Sequence, residues 1–190
     1  RRPAARSRRC AAPTPLPAAE FSPKAGLPER ARHPKQTFTH RLLVPRVVVL
    51  DPAATLDTPE WLLYCTGIRS VDHAVESYCS LRANPATMAH SLAGLRLLSR
   101  ALPAIKPDPG AYAPRLDAQF GMWQAIAASV AGTGTGASHG IGYVLGATYN
   151  VAHGHTSCVM LPAVLQWNEA VNGARQKALS EAMGAPERPA

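Results

Sequence analysis

TPEWLLYCTGIRSVDHAVESYC (58–79) decides the fold. Thr58-Pro59-Glu60 reads as a helix start, with Thr as N-cap, Pro at the first helical position and an acid in the first turn. Apolar residues recur behind it at helical spacing, and Gly67 marks a place where the helix could break. C-terminal to this stretch, Asn84-Pro85 is a second start, leading into MAHSLAGLRLLSRAL (88–102). Pro107 to Pro114 reads as a loop, and a third helix is expected from Arg115 to about Ala131. ASHGIGYVLGATY (137–149), Gly154 to about Val171 and Ala174 to Met183 complete a helical series. GTGTG (132–136) between the third and fourth segments follows a helix, not a strand, and no Lys comes after it. It therefore reads as a helix–helix turn rather than a phosphate cradle.

N-terminal to the deciding stretch the texture is different. Seven prolines between Pro3 and Pro34 exclude a long helix there. LLVPRVVVL (42–50) reads as a short buried strand ended by Asp51-Pro52. The expected architecture is mainly α: a helical bundle over 53–190, a strand-and-loop piece over 13–52, and a basic disordered arm over 1–12.

Charge follows the same division. Residues 1–50 hold 11 Lys+Arg against 2 acids, and residues 51–190 hold 9 against 10, so the net +8 belongs to the N-terminal part. A uniformly basic nucleic-acid surface is excluded, and no specific nucleic-acid partner is expected. The longest apolar runs are too short or too interrupted to span a bilayer. Four Cys without paired spacing do not make a disulfide scaffold or a zinc ribbon, which points to a reducing, cytoplasmic setting. Trp61, Phe120, Met122, Trp123 and Trp167 are expected to fill the core, with Cys65, Cys79 and Cys158 as small buried hydrophobes. Cys158 also stands near the expected cleft, where a thiol could react, although nothing nearby in sequence lowers its pKa.

The chemistry-bearing residues are His73, His139 and His153, one on each of three separate elements. Such a trio is compatible with an open metal tripod or with separate packed histidines.

Three stretches carry a resemblance: GIRSVDHAVES (67–77), SHGIGYVLGATYNVAHG (138–154) and TSCVMLPAVLQWN (156–168). They resemble the iron-containing alcohol dehydrogenase superfamily, most closely its maleylacetate-reductase-like branch. LVPRVVVLDPAATLDTPEWL (43–62) and PTPLPAAEFSPKAG (13–26) resemble the segments that precede the helical domain, with Pro15 in place of a Thr. The resemblance implies a helical bundle of the dehydroquinate-synthase-like type behind an α/β nucleotide-binding domain. Here 13–52 would be a remnant of that domain and the bundle would be cut short at its C-terminus. It implies NAD or NADP as cofactor, a keto acid or alcohol as substrate, and hydride transfer to a ketone or activated double bond, with a homodimer as one possible assembly. The nucleotide would meet Thr14, Leu16 and Glu20.

The resemblance also implies a divalent metal (Fe or Zn) on an Asp and a His four apart on one helix and on two further His. His73, His139 and His153 match the histidines, but the Asp position is Arg69. Residues i and i+4 share a helix face, so a guanidinium would point at the metal. That argues against tight metal binding. Asp72 points about 100° away from His73 and is a poor substitute. Arg69 then either faces solvent beside Asp72 or Glu76, or replaces the metal by binding a substrate carboxylate or polarising a ketone. Tyr143 stands where many metal-dependent members have a His, and is expected either to donate a hydrogen bond near the nicotinamide or simply to pack. The catalytic set implied is Arg69, His73, His139, Tyr143 and His153. A metal-dependent alcohol dehydrogenase and a non-catalytic helical module that binds a partner remain the alternatives.

Overall fold

The computed structural model describes residues 9–28 and 35–187. Helices dominate. They are α1 (Glu60–Cys79), α2 (Pro85–Ile105), α3 (Tyr112–Ala128), α4 (Ala137–Tyr149) and α5 (His153–Ala182). Ahead of them lie β1 (Cys10–Ala11), β2 (Lys24–Pro28), β3 (Lys35–Thr39) and β4 (Val47–Val48). β2 and β3 form an antiparallel hairpin, and β1 runs parallel to β4 with Cys10 opposite Val47. Cys10 and Ala11, expected within a disordered arm over 1–12, pair with β4, and residues 1–8 of that expected arm lie outside the described ones.

The strand expected over 42–50 shrinks to two residues. Arg41–Leu43 is a 3₁₀ turn, and Val47 and Val49 are each about half exposed. A run of valines is the pattern of a strand covered on both faces. Here a single two-residue neighbour pairs with it, and Pro45 lacks the N–H that a longer ladder needs.

α1 runs unbroken through Gly67, where a Cβ would stand 2.6 Å from Leu102 Cδ2, so this glycine lets α2 lie close. Thr58 does not cap α1: its hydroxyl donates to Thr14 O at 3.1 Å and ties the N-terminal segment to the bundle. α2 opens with a capping box. Asn84 Oδ1 accepts from the Ala86 and Thr87 amides, and Thr87 Oγ1 accepts from Asn84 N at 2.9 Å. α3 begins at Tyr112, ahead of the expected Arg115, because Pro114 falls in the first turn, where a missing N–H leaves no bond unmade. It ends in a wide π-type turn, Ser129–Thr133, with Gly132 and Gly134 at positive φ. The two helices expected near the C-terminus are one element bent at Asn172 (φ −130°).

The core is aliphatic: Leu63, Leu95, Leu98, Ile105, Met122, Ala125, Leu161 and Leu179 are buried. Of the aromatic and Met residues expected there only Met122 is buried. Trp61, Phe120, Trp123 and Trp167 sit on outward helix faces, and Trp167 is 87% exposed. Trp61 stacks on His155 and Trp123 on Phe21 instead. No described helix is long and apolar enough to cross a membrane.

Candidate functional site

α1 presents one face to α4 and α5, and that face carries Arg69, Asp72, His73 and Glu76, all buried. Arg69 is not in solvent. Its Nη1 donates to Ser157 Oγ at 3.0 Å and Thr156 Oγ1 at 3.3 Å, both in the first turns of α5. Burial lowers its pKa from the usual value, opposed by the nearby Asp72 and Glu76 carboxylates, and it stays a cation.

His73 and His139 are brought face to face, with ring centroids 4.3 Å apart. His153, at the start of α5, is exposed at the rim and close enough to act electrostatically on His73. Burial, followed by the positive charge of His139, Arg69 and His153, pushes the His73 pKa well below its ordinary value, so this ring is neutral. For His139, burial also acts downward. The hydrogen bonds to Asp72 and Glu76 outweigh it and hold the pKa above the ordinary value. Tyr143 lies on α4 at the edge of exposure, at 36%.

Asp72 and Glu76 were not legible as site residues. His139 Nδ1 lies 2.7 Å from Glu76 Oε2 and 3.2 Å from Asp72 Oδ2. Asp72 Oδ2 also accepts from Ser138 Oγ at 2.8 Å. Glu76 accepts from the Gly136 and Ser138 amides at 2.6 and 2.7 Å. Its carboxylate thus occupies the N-terminus of α4, the place a phosphate would take after a glycine-rich turn. One signal was available: two acids at i and i+4, which must share a helix face, in a stretch (61–79) whose other charged or imidazole side chains are Arg69 and His73.

The Asp72 and Glu76 carboxylates thus stand between the Arg69 guanidinium and the His139 ring. A metal does not fit this set. The unpaired buried nitrogens His73 Nδ1 and His139 Nε2 are suitable donors, but the fourth corner is a guanidinium. A unit positive charge about 4 Å from a divalent ion costs roughly 8 kcal/mol at an effective dielectric near 20. Asp72, Glu76 and His139 also cluster tightly enough to share an ion. Their separations of 2.7 and 3.2 Å are those of hydrogen bonds, and amides already occupy both Glu76 oxygens.

The residues expected to meet a nucleotide divide. Leu16 is 1% exposed, its N–H donates to Thr66 Oγ1 and its C=O accepts from Ser70 Oγ. It anchors the segment to α1, with both of its backbone groups engaged there. Thr14 is exposed. Glu20 is half-buried, with Oε1 unpaired and its pKa raised by burial, so it fits a hydroxyl donor. Cys158 is no activated nucleophile, because burial and then neighbouring Cys65 push its thiol up to about 11.

Residues 64–189 match the Fe-containing alcohol dehydrogenase family, C-terminal. A maleylacetate reductase of Sphingobium indicum is 33% identical over 157 residues, covering 82% of this chain and 44% of that protein. An iron-containing alcohol dehydrogenase of Corynebacterium glutamicum superposes with a TM-score of 0.81 at 27% identity, over 94% of this chain and 54% of that one. A maleylacetate reductase of Agrobacterium tumefaciens gives 0.78 at 25% identity, over 93% and 54%. The chain spans less than half the length of the curated relatives it matches. Because that family match covers well over half of the chain, the chain belongs to the Fe-containing alcohol dehydrogenase family, of which it carries the C-terminal helical part.

Proposed function

We propose that this chain forms the substrate side of an NAD(P)-dependent oxidoreductase that reduces a ketone or ketone-activated double bond in a small keto acid such as maleylacetate. The buried Arg69, standing at the position matching the family's metal-binding Asp, carries the reading. With Nη1 engaged by Ser157 and Thr156, the Nε and Nη2 donors are left to receive a carboxylate or the developing oxyanion. His139 Nε2 and His73 Nδ1 are unpaired beside it and supply hydrogen bonds to the same oxygen. His153 closes the rim, and Tyr143 donates a hydrogen bond at the edge of the site. The reduced nicotinamide, when bound, supplies the hydride; Thr14 and Glu20 are the residues of this chain proposed to meet it.

The test is substrate-dependent oxidation of NADH and NADPH by the chain expressed within its native coding context, alongside metal analysis. Turnover of maleylacetate without stoichiometric metal supports the reading. About one Fe or Zn per chain, with turnover of a primary alcohol, would favour a metal-dependent alcohol dehydrogenase instead. The bared Tyr149, Trp167 and Val171 side chains on α4 and α5 also support pairing with a second copy. Light scattering reads that directly, with a monomer as the contrary result.

A further inference from the structure

Glu76 has no place among the groups assigned to substrate, yet its carboxylate makes three bonds at once. It takes the amides of Gly136 and Ser138 at the start of α4, and it takes His139 Nδ1. Gly136 permits this approach, since a Cβ there would stand 2.8 Å from Glu76 Oε1. Ser138 adds a second tie by donating its hydroxyl to Asp72 Oδ2.

We propose that Glu76 is a positioning residue for His139: its carboxylate holds the ring with Nδ1–H toward α1, leaves Nε2 for the substrate, and clamps the first turn of α4 onto α1. The inference rests on His139 meeting the substrate oxygen. An ionised carboxylate only accepts, so Nδ1 facing Glu76 and Asp72 must carry the proton. The far nitrogen then makes the contact that matters, as with any imidazole whose second nitrogen sets its tautomer. Turning the ring over would set a C–H against both carboxylates and forfeit the bonds at 2.7 and 3.2 Å. The His73 ring 4.3 Å away leaves little room for an intermediate pose. Asp72 supports the arrangement from the longer of the two contacts.

The first measurement needs no cofactor, metal or substrate. Long-range ¹H–¹⁵N spectra of the ¹⁵N-histidine-labelled chain report which ring nitrogens are protonated, and His139→Gln identifies the relevant signals. The parent should show His139 with a protonated Nδ1. In Glu76→Ala the His139 nitrogen shifts should move as Nδ1 loses its nearest acceptor, and in Glu76→Gln, which keeps one acceptor oxygen, they should stay close to the parent's. A bare Nδ1 in the parent overturns the proposal, even if Glu76→Ala does not fold. So does a folded Glu76→Ala with unchanged His139 nitrogen shifts. In the active enzyme, Glu76→Ala should lower kcat about 10–100-fold with KM little changed, and Glu76→Gln should restore most of it. Absence of reductase activity in the parent would remove the functional reading, while the nitrogen spectra would still decide the positioning.

Discussion

The α2–α3 pair and the face that α1 turns to α4 and α5 are packed by opposite means. Between α2 and α3 the contact is apolar and close: Leu95, Leu98, Met122 and Ala125 are fully buried. Gly94 and Gly121 let the backbones approach, so that a Cβ on Gly94 would lie 2.7 Å from Ala125 N. On the other face the buried groups are Arg69, Asp72, Glu76 and His139, held by directional bonds. The first contact is a matter of volume, and its side chains gain by leaving water. The second buries charge, which rarely adds stability over a well-packed apolar alternative.

Gly94→Val should break the apolar side hardest. Backbone atoms cannot yield as a side-chain end can, and a loss of about 3 kcal/mol or more is expected by urea denaturation. A loss under about 1 kcal/mol would mean that the helices can slide apart and that the contact is softer than described.

Arg69→Asp should convert the polar side. It removes the cation and restores the Asp that the family resemblance implies for metal binding. Zn²⁺ at about a hundredfold excess over its Kd would then stabilise the variant by about 2.7 kcal/mol, read as a rise in Tm that the parent lacks. An equal rise in the parent would show that Arg69 does not exclude the ion.

Arg69→Ala sharpens the comparison from the functional direction. Loss of a charge-assisted contact worth about 2 kcal/mol should lower kcat/KM roughly thirtyfold, with some loss of folding stability because Asp72 and Glu76 lose a buried counter-charge. Unchanged kinetics would leave Arg69 as a tether to Ser157 alone.

The smallest effect expected is at Glu20. Its folded pKa is raised, by burial with its own backbone hydrogen bond opposing. Its stabilising contribution is therefore full below the ordinary carboxylate range and is lost as pH rises through the folded value. Glu20→Gln should be more stable than the parent at pH 7, by less than about 1 kcal/mol, and no different in acid below the ordinary carboxylate range. Weaker binding of NADH or NADPH to this variant would support its contact with the nucleotide.

Much of the bundle was readable in advance because its signals are local. Asn84-Pro85 starts α2 as expected and the glycine turn leads into α4. The bend at Asn172 stands between the two expected C-terminal segments. Burial of the aromatics was not readable, since which face of α3 or α5 meets a neighbour depends on where that neighbour lies. Phe120 and Trp123 face outward from a helix whose Met122 is fully buried.

The site divides in the same way. Helix starts and apolar periodicity, which act over a few residues, were sufficient to determine the helical class. The stretches 67–77, 138–154 and 156–168 carried the family resemblance, and that resemblance set Arg69 against the metal it implies. Only the tertiary structure decided that Arg69 is held by Ser157, that His73 lies against His139, and that Glu76 reaches across 60 positions of chain to cap α4 and grip His139. Such contacts are made when helices remote in sequence are packed together, and their distances follow from where each helix comes to rest.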